Sequence, residues 1–217
     1  MSETGRRHTR ADLCDSDPGP SCGPAFLMTL LPIRKYGDPI LRQKARPIAA
    51  ITAELRQLAA DMGETMYAAN GIGLAANQIG RLERILVLDV VQTDDGPGKP
   101  RGRQRTSERQ LEVYLNPEIL DTGIEDDTYS EGCLSIPGLE GDVYRPLRLT
   151  LRWMDLDGAT HEASFDGMRA RVLQHEIDHL DGILFIDRLP EARRASLAGA
   201  LNRLKKETLD LMAAQAS

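Results

Sequence analysis

The sequence predicts a mixed α+β fold. Antiparallel or mixed β-sheets pack around a central helix that carries an H-E-x-x-H motif, and another helix closes the C-terminus. Three observations point there. Apolar residues recur at helical spacing in three separate stretches. The strand-like stretches come as hairpin neighbours, not in strand–helix–strand alternation. No internal repeat divides the 217 residues, a length that suits one domain with tails and a full core.

Residues 1–27, "MSETGRRHTRADLCDSDPGPSCGPAFL", are polar, rich in Pro, Gly, Ser and Asp, and without periodicity, which predicts a disordered extension. "AFLMTLL" is too short and too far in for a signal-peptide core, and Glu3, Asp12, Asp15 and Asp17 argue against an organellar transit peptide. Met28 stands as an alternative start. From there, residues 28–217 read as one domain. "LPIRKYGDPILRQKARPI" (31–48) has scattered prolines and no steady period, so an extended surface-hugging segment is expected. From Thr52, a capping residue, Leu55, Leu58, Met62 and Met66 recur at spacings of three and four until Asn70-Gly71, which predicts an amphipathic helix. "RILVLDVV" (84–91) reads as a buried strand.

Residues 92–110 hold no large apolar residue and read as a long polar loop. "LEVYLNPEIL" (111–120) resumes as strand. "LRLTLRWMDLDG" alternates Leu147, Leu149, Leu151 and Trp153, then turns at Asp157-Gly158 into "THEASF", a hairpin. From Gly167 the period is helical again, with Ala170, Leu173, Ile177 and Leu180 on one stripe. A last helix over 191–212 follows Pro190 and sets Leu197, Leu201, Leu204 and Leu211 on one side.

Net charge is −6, so the whole molecule has no electrostatic reason to coat nucleic acid or an anionic membrane. No stretch approaches the roughly 18 to 20 apolar residues of a membrane span. Cys14, Cys22 and Cys133 are too few for a disulfide framework, which suits a reducing compartment.

The chemistry concentrates in "QHEIDHLDG" (174–182). On a helix His175 and His179 share a face and can reach one metal ion. Glu176 lies about 100° around from His175, beside the position a metal leaves open, where a carboxylate can accept a proton from water and return it to a leaving amine. A catalytic site of this kind usually takes a third protein ligand. Phe185 occupies the position where a metzincin-type protease would have its third histidine. Glu191 and Glu207 are conceivable in the thermolysin manner, although an acid after Pro190 is explained by the helix dipole. Cys133, in "EGCLSIPG" (131–138), sits in a tight polar turn between strands. A thiolate with two imidazoles suits Fe(II), Zn(II), Co(II) or Ni(II). On spacing alone Cys133 is preferred, and Glu191 stays open. "GIGLAANQIG" (71–80) reads as a glycine-rich loop: Gly71 and Gly73 allow close backbone approach, and Gln78 can point an amide into a site. A helix C-cap explains Gly71 equally well.

Taken in order, "GIGLAANQ", "EGCLS" and "QHEIDH" resemble the three signature motifs of peptide deformylases, which remove the N-formyl group from the initiator methionine of new bacterial and organellar proteins. The resemblance spans about residues 29 to 212, including "LPIRKYGDPILRQKA" and "LDGILFIDRL". It implies a catalytic domain over 28–217 in which Cys133, His175 and His179 hold one Fe(II), replaceable by Zn(II), Ni(II) or Co(II). It implies Glu176 as general base and acid, with the Gln78 side chain and the Leu134 backbone N–H as oxyanion donors. Ile72, Gly73 and Gly132 would contact a substrate peptide lying along the cleft like an added strand, and Arg145 would sit near the pocket mouth, with a surface salt bridge as its plain reading. Val172, His175 and Ile136 or Leu139 are candidates for the methionine pocket.

The implied substrate is an N-formyl-methionyl nascent peptide. The implied partner is the ribosome near its exit tunnel, met through the C-terminal helix with Arg193, Arg194, Arg203, Lys205 and Lys206. The implied location is a bacterial cytoplasm, with an organelle as the lesser alternative. The 1–27 extension and the 92–110 loop depart from a lean family member; the basic loop can meet rRNA or simply be solvated. No membrane and no sequence-specific nucleic acid are expected. Two competing functions are an H-E-x-x-H endopeptidase, opposed by Phe185, and a non-catalytic redox-sensing metal module, which needs neither Glu176 nor Gln78.

Overall fold

A computed structural model describes residues 29–90 and 109–215 of the chain. The expectations for the 1–27 extension, for Met28 as a start and for nearly all of the 92–110 loop fall outside the described residues. Within them the fold is mixed α+β, as predicted. Helix α1 spans Ala53–Ala68, α2 Gly167–Leu180 and α3 Glu191–Gln215; strands β1 to β7 span Gly73–Ala75, Ile85–Leu88, Glu112–Thr122, Asp126–Cys133, Ile136–Pro146, Arg148–Met154 and Thr160–Asp166. Five strands form an antiparallel sheet in the order β1-β2-β3-β6-β7, and β4-β5 form a separate hairpin.

The amphipathic stripe explains α1. Thr52 caps it by accepting from the Leu55 N–H, and Leu55, Leu58, Met62 and Met66 are buried. Fully burying such a side chain contributes roughly 1.5–3 kcal/mol. The left-handed residue after the helix is Asn70 (φ 58°), and Gly71 does not have positive φ. A Cβ at Gly71 would lie 2.8 Å from Leu134 Cδ1, so a side chain there would displace the end of Leu134.

The stretch expected to be a glycine-rich loop is ordered and buried: β1 pairs with β2, and residues 76–79 form a 3-10 turn. The expected β6–β7 hairpin forms, with Leu149 and Leu151 buried on its inner face. Residues 31–48 are extended apart from a short 3-10 turn at Pro39–Arg42, capped by Asp38.

Two apolar clusters hold the layers together. The larger lies between the five-stranded sheet, α1 and α2. The smaller joins Leu41, Ile136, Val143, Leu184, Phe185, Ile186, Leu189 and Leu201, so it ties the β4–β5 hairpin to α3. The stripe expected on α3 is only partly used. Leu201 is buried and Leu197 and Leu204 pack against the smaller cluster, but Leu211 is 64% exposed because the helix has run past its support.

Gly182 ends α2 and feeds the chain into the smaller cluster. Its φ is +77°, and a Cβ there would lie 2.6 Å from the Arg42 carbonyl oxygen. Both the left-handed backbone and the backbone contact reject a side chain. Gly182→Ala is expected to destabilise the protein by about 2 kcal/mol or more, measured by urea denaturation.

Candidate metal centre

Helix α2 and the β4–β5 turn meet at one point. Ala170, Leu173, Ile177 and Leu180 seat α2 in the larger cluster, and helical rotation puts His175 and His179 on the neighbouring face. The two-residue turn Leu134-Ser135, between Cys133 and Ile136, carries the cysteine to them. Ligand atoms of Cys133, His175 and His179 lie within 4.8 Å of one another. Cys133 Sγ is 3.1 Å from His179 Nε2, and the two imidazoles stand at 72° with centroids 5.0 Å apart. Among the described residues no other group of three such side chains gathers, so Glu191 and Glu207, both on α3, are not ligands here.

The donor set fits a divalent transition metal. One soft sulfur and two imidazoles supply three ligands of a tetrahedral site and leave one position open. His175 Nδ1 is committed to Glu131 Oε2 at 2.9 Å, which leaves Nε2 for a metal. Glu176 is 4% exposed, and its Oε2 has no hydrogen-bond partner among the described residues. A buried carboxylate oxygen without a protein partner suits a group that works on water or substrate.

The site is also electrostatically prepared. Burial pushes the Cys133 thiol up, but the charges of His179 and His175 outweigh it and hold the thiol well below its ordinary range. Burial opposes the His175 imidazolium, yet Cys133 and Glu131 push its pKa up to about 10. Burial raises the Glu176 carboxyl against the pull of His175 and His179.

The structure brings together most of the remaining residues picked from the sequence. Gln78 is 1% exposed. Its Oε1 accepts from the Ala75 N–H at 2.8 Å, which turns Nε2 toward Cys133 Sγ (3.5 Å) and Ser135 Oγ (3.4 Å). Gly73 lies against Glu176: a Cβ there would be 2.6 Å from Oε1 and 2.9 Å from Val172 Cγ1. Leu134 follows Cys133 in the turn. Ile72 is 40% exposed beside β1, and Gly132 is exposed opposite Glu140.

One expectation needs correction. Arg145 is at neither a pocket mouth nor the surface. It is 2% exposed, pairs with Glu131 through Nε (2.7 Å) and Nη2 (2.9 Å), and donates from Nη1 to Asp178 at 2.7 Å. A guanidinium so enclosed braces Glu131 and Asp178 behind the site. Of the methionine-pocket candidates, Val172 packs in the larger apolar cluster, and Ile136 and Leu139 pack in the smaller.

Sequence reasoning gave no role to the residues that orient the ligands. Glu131 takes donors from Arg145, from Arg171 Nη1 (2.8 Å) and from His175. Asp178, inside the H-E-x-x-H stretch, pairs with Arg145 and Arg188. The signal available was composition alone: an acid and a serine two residues either side of Cys133. Lys35 donates to the Leu134 carbonyl at 2.7 Å across 99 residues, with no local signal at all.

A family profile described as polypeptide deformylase matches residues 30–195. The chain is 44% identical over 179 residues to a peptide deformylase of Rhizorhabdus wittichii, covering 82% of this chain and 97% of that one. It is 42% identical to one of Novosphingobium aromaticivorans, covering 82% and 99%. Among solved structures it resembles a plant peptide deformylase, with TM-score 0.73, 34% identity and coverage of 82% and 91%. It likewise resembles the Thermus thermophilus peptide deformylase, with TM-score 0.70, 39% identity and coverage of 82% and 99%.

Burial pushes the Glu131 carboxyl up, but hydrogen bonds from His175 and Arg145 overcome this and hold it below its ordinary 4.5. Its contribution to stability is therefore complete above that ordinary value and is lost as pH falls through the lower folded value. Thermal melts across the acid range should show this loss in the wild type and not in Glu131→Gln. That variant is expected to lose roughly 3–5 kcal/mol at neutral pH, because two arginines lose their buried partner. Chelator competition should find metal bound about 10–100-fold more weakly.

Proposed function

The chain belongs to the peptide deformylase family, and on that premise we propose that Cys133, His175 and His179 hold a single divalent ion, natively Fe(II), with Zn(II), Ni(II) or Co(II) able to replace it. The enzyme hydrolyses the formyl amide at the N-terminal methionine of newly made polypeptides and releases formate. A bound ion supplies the Lewis acidity that makes water nucleophilic near neutral pH.

The chain's own residues do the rest. Glu176 takes a proton from the attacking water and passes it to the amine nitrogen as the carbon–nitrogen bond breaks. The raised carboxyl suits both halves of that duty, since it gives the proton back readily. Gln78 Nε2 and the Leu134 N–H donate to the carbonyl oxygen as it gains negative charge, and losing one such donor costs about 3–4 kcal/mol. Ile72, Gly73 and Gly132 contact the substrate backbone. The crowding between Gly73 and Glu176 favours a formyl group over larger acyl groups.

The observation that carries this reading is the buried, unpartnered Glu176 oxygen on the helix turn between His175 and His179. An endopeptidase reading has less support, because Phe185 is 1% exposed and stacked on His175, with centroids 6.3 Å apart. No described helix is long and apolar enough to cross a membrane. We place the enzyme in a bacterial cytoplasm and assign the basic residues of α3 to contact with the ribosome near its exit tunnel.

Formate release from formyl-Met-Ala-Ser, run beside acetyl-Met-Ala-Ser, tests the activity: only the formyl peptide should be cleaved, and equal cleavage of both would overturn the specificity. Glu176→Gln should keep its metal by elemental analysis while turnover falls by about two orders of magnitude or more. Cys133→Ala should lose the metal.

A further inference from the structure

Residues 34–36 run across both polar turns of the site. The Arg34 N–H donates to the Gln78 carbonyl at 2.6 Å, and the Tyr36 N–H donates to the Ser135 carbonyl at 2.8 Å. Between them the half-buried Lys35 ammonium donates to the Leu134 carbonyl at 2.7 Å. That carbonyl and the Ser135 N–H belong to one planar trans peptide unit, so they point in opposite directions. With the oxygen anchored on Lys35, the N–H is turned to Cys133 Sγ, which accepts it at 3.4 Å. A cation on the carbonyl also polarises the unit and strengthens the N–H as a donor. Besides its imidazole neighbours, the sulfur therefore has two donors, this N–H and Gln78 Nε2.

We propose that Lys35 is a positioning residue for Cys133: by holding and polarising the Leu134–Ser135 peptide, it keeps an N–H on the sulfur and limits how much charge the thiolate gives to a bound ion. The ion stays more electron-poor as a result, and donors around a ligand sulfur are known levers on a metal's properties. The proposal rests on the reading of Cys133 as a metal ligand.

The test compares the Co(II)-loaded full-length wild type with Lys35→Met and Lys35→Arg, reading the thiolate-to-cobalt charge-transfer band together with kcat and KM for formyl-Met-Ala-Ser. Removing a hydrogen bond raises the energy of the sulfur electrons, so the band of Lys35→Met should move to longer wavelength. Its kcat should fall about 10-fold or more with KM unchanged, and Lys35→Arg should restore both. Lys35→Gln, which keeps a neutral donor, replaces Lys35→Met should the latter not fold, and its band should shift the same way by less. A band that stays in place in the folded variants overturns the proposal. So does a loss of kcat that Lys35→Arg fails to restore. Absence of any cysteine-dependent band in the wild type overturns the ligand reading itself, and the proposal with it.

Discussion

Glu131 keeps a full negative charge at 6% exposure, and it does so because donors converge on it from two other elements: both nitrogens of a guanidinium fork from Arg145 on β5, and Arg171 and His175 on α2. A carboxylate buried without such partners would cost several kcal/mol. The hairpin and the helix therefore have one relative placement in which the charge is satisfied. Cys133 lies two residues beyond Glu131 on the same strand, and His175 is itself one of the donors. The geometry that satisfies Glu131 is the geometry that brings sulfur and imidazole together. Asp178 extends the arrangement by holding the far side of Arg145 and reaching Arg188.

Much of the fold was legible because it is built from repeating apolar patterns. Helices α1 and α2 and the β6–β7 hairpin each bury a stripe or alternation that can be read along the chain. The β4–β5 hairpin was harder. Its inner positions include Glu131 and Arg145, which cancel as an ion pair instead of advertising themselves as hydrophobes. The three residues of β1 are too few to show a period, and their glycine suggested a loop. On α3 the leucine stripe is real but its partner surface stops, which no pattern within the helix can reveal.

The site was legible to a different depth. His175, Glu176 and His179 are specified by spacing on one helix, so local geometry suffices. Cys133 needed the companion motifs, because a cysteine between strands is as often a small buried apolar group. The burial of Arg145 is not legible along the chain, because its buried partners lie 14 and 33 residues away. Phe185 stands where a metzincin-type protease has its third histidine, and nothing in the sequence assigns it a role of its own. It serves as a wall that holds the His175 ring by stacking.

Strand β1 lies at an edge of the five-stranded sheet, and it is three residues long. An extended peptide docked on that edge would gain main-chain bonds over those few residues and then run out of strand. Recognition by backbone ignores side-chain identity, and so short a ladder ignores whatever follows. A polypeptide held this way would be gripped by its backbone, and residues beyond the short edge would be free to vary.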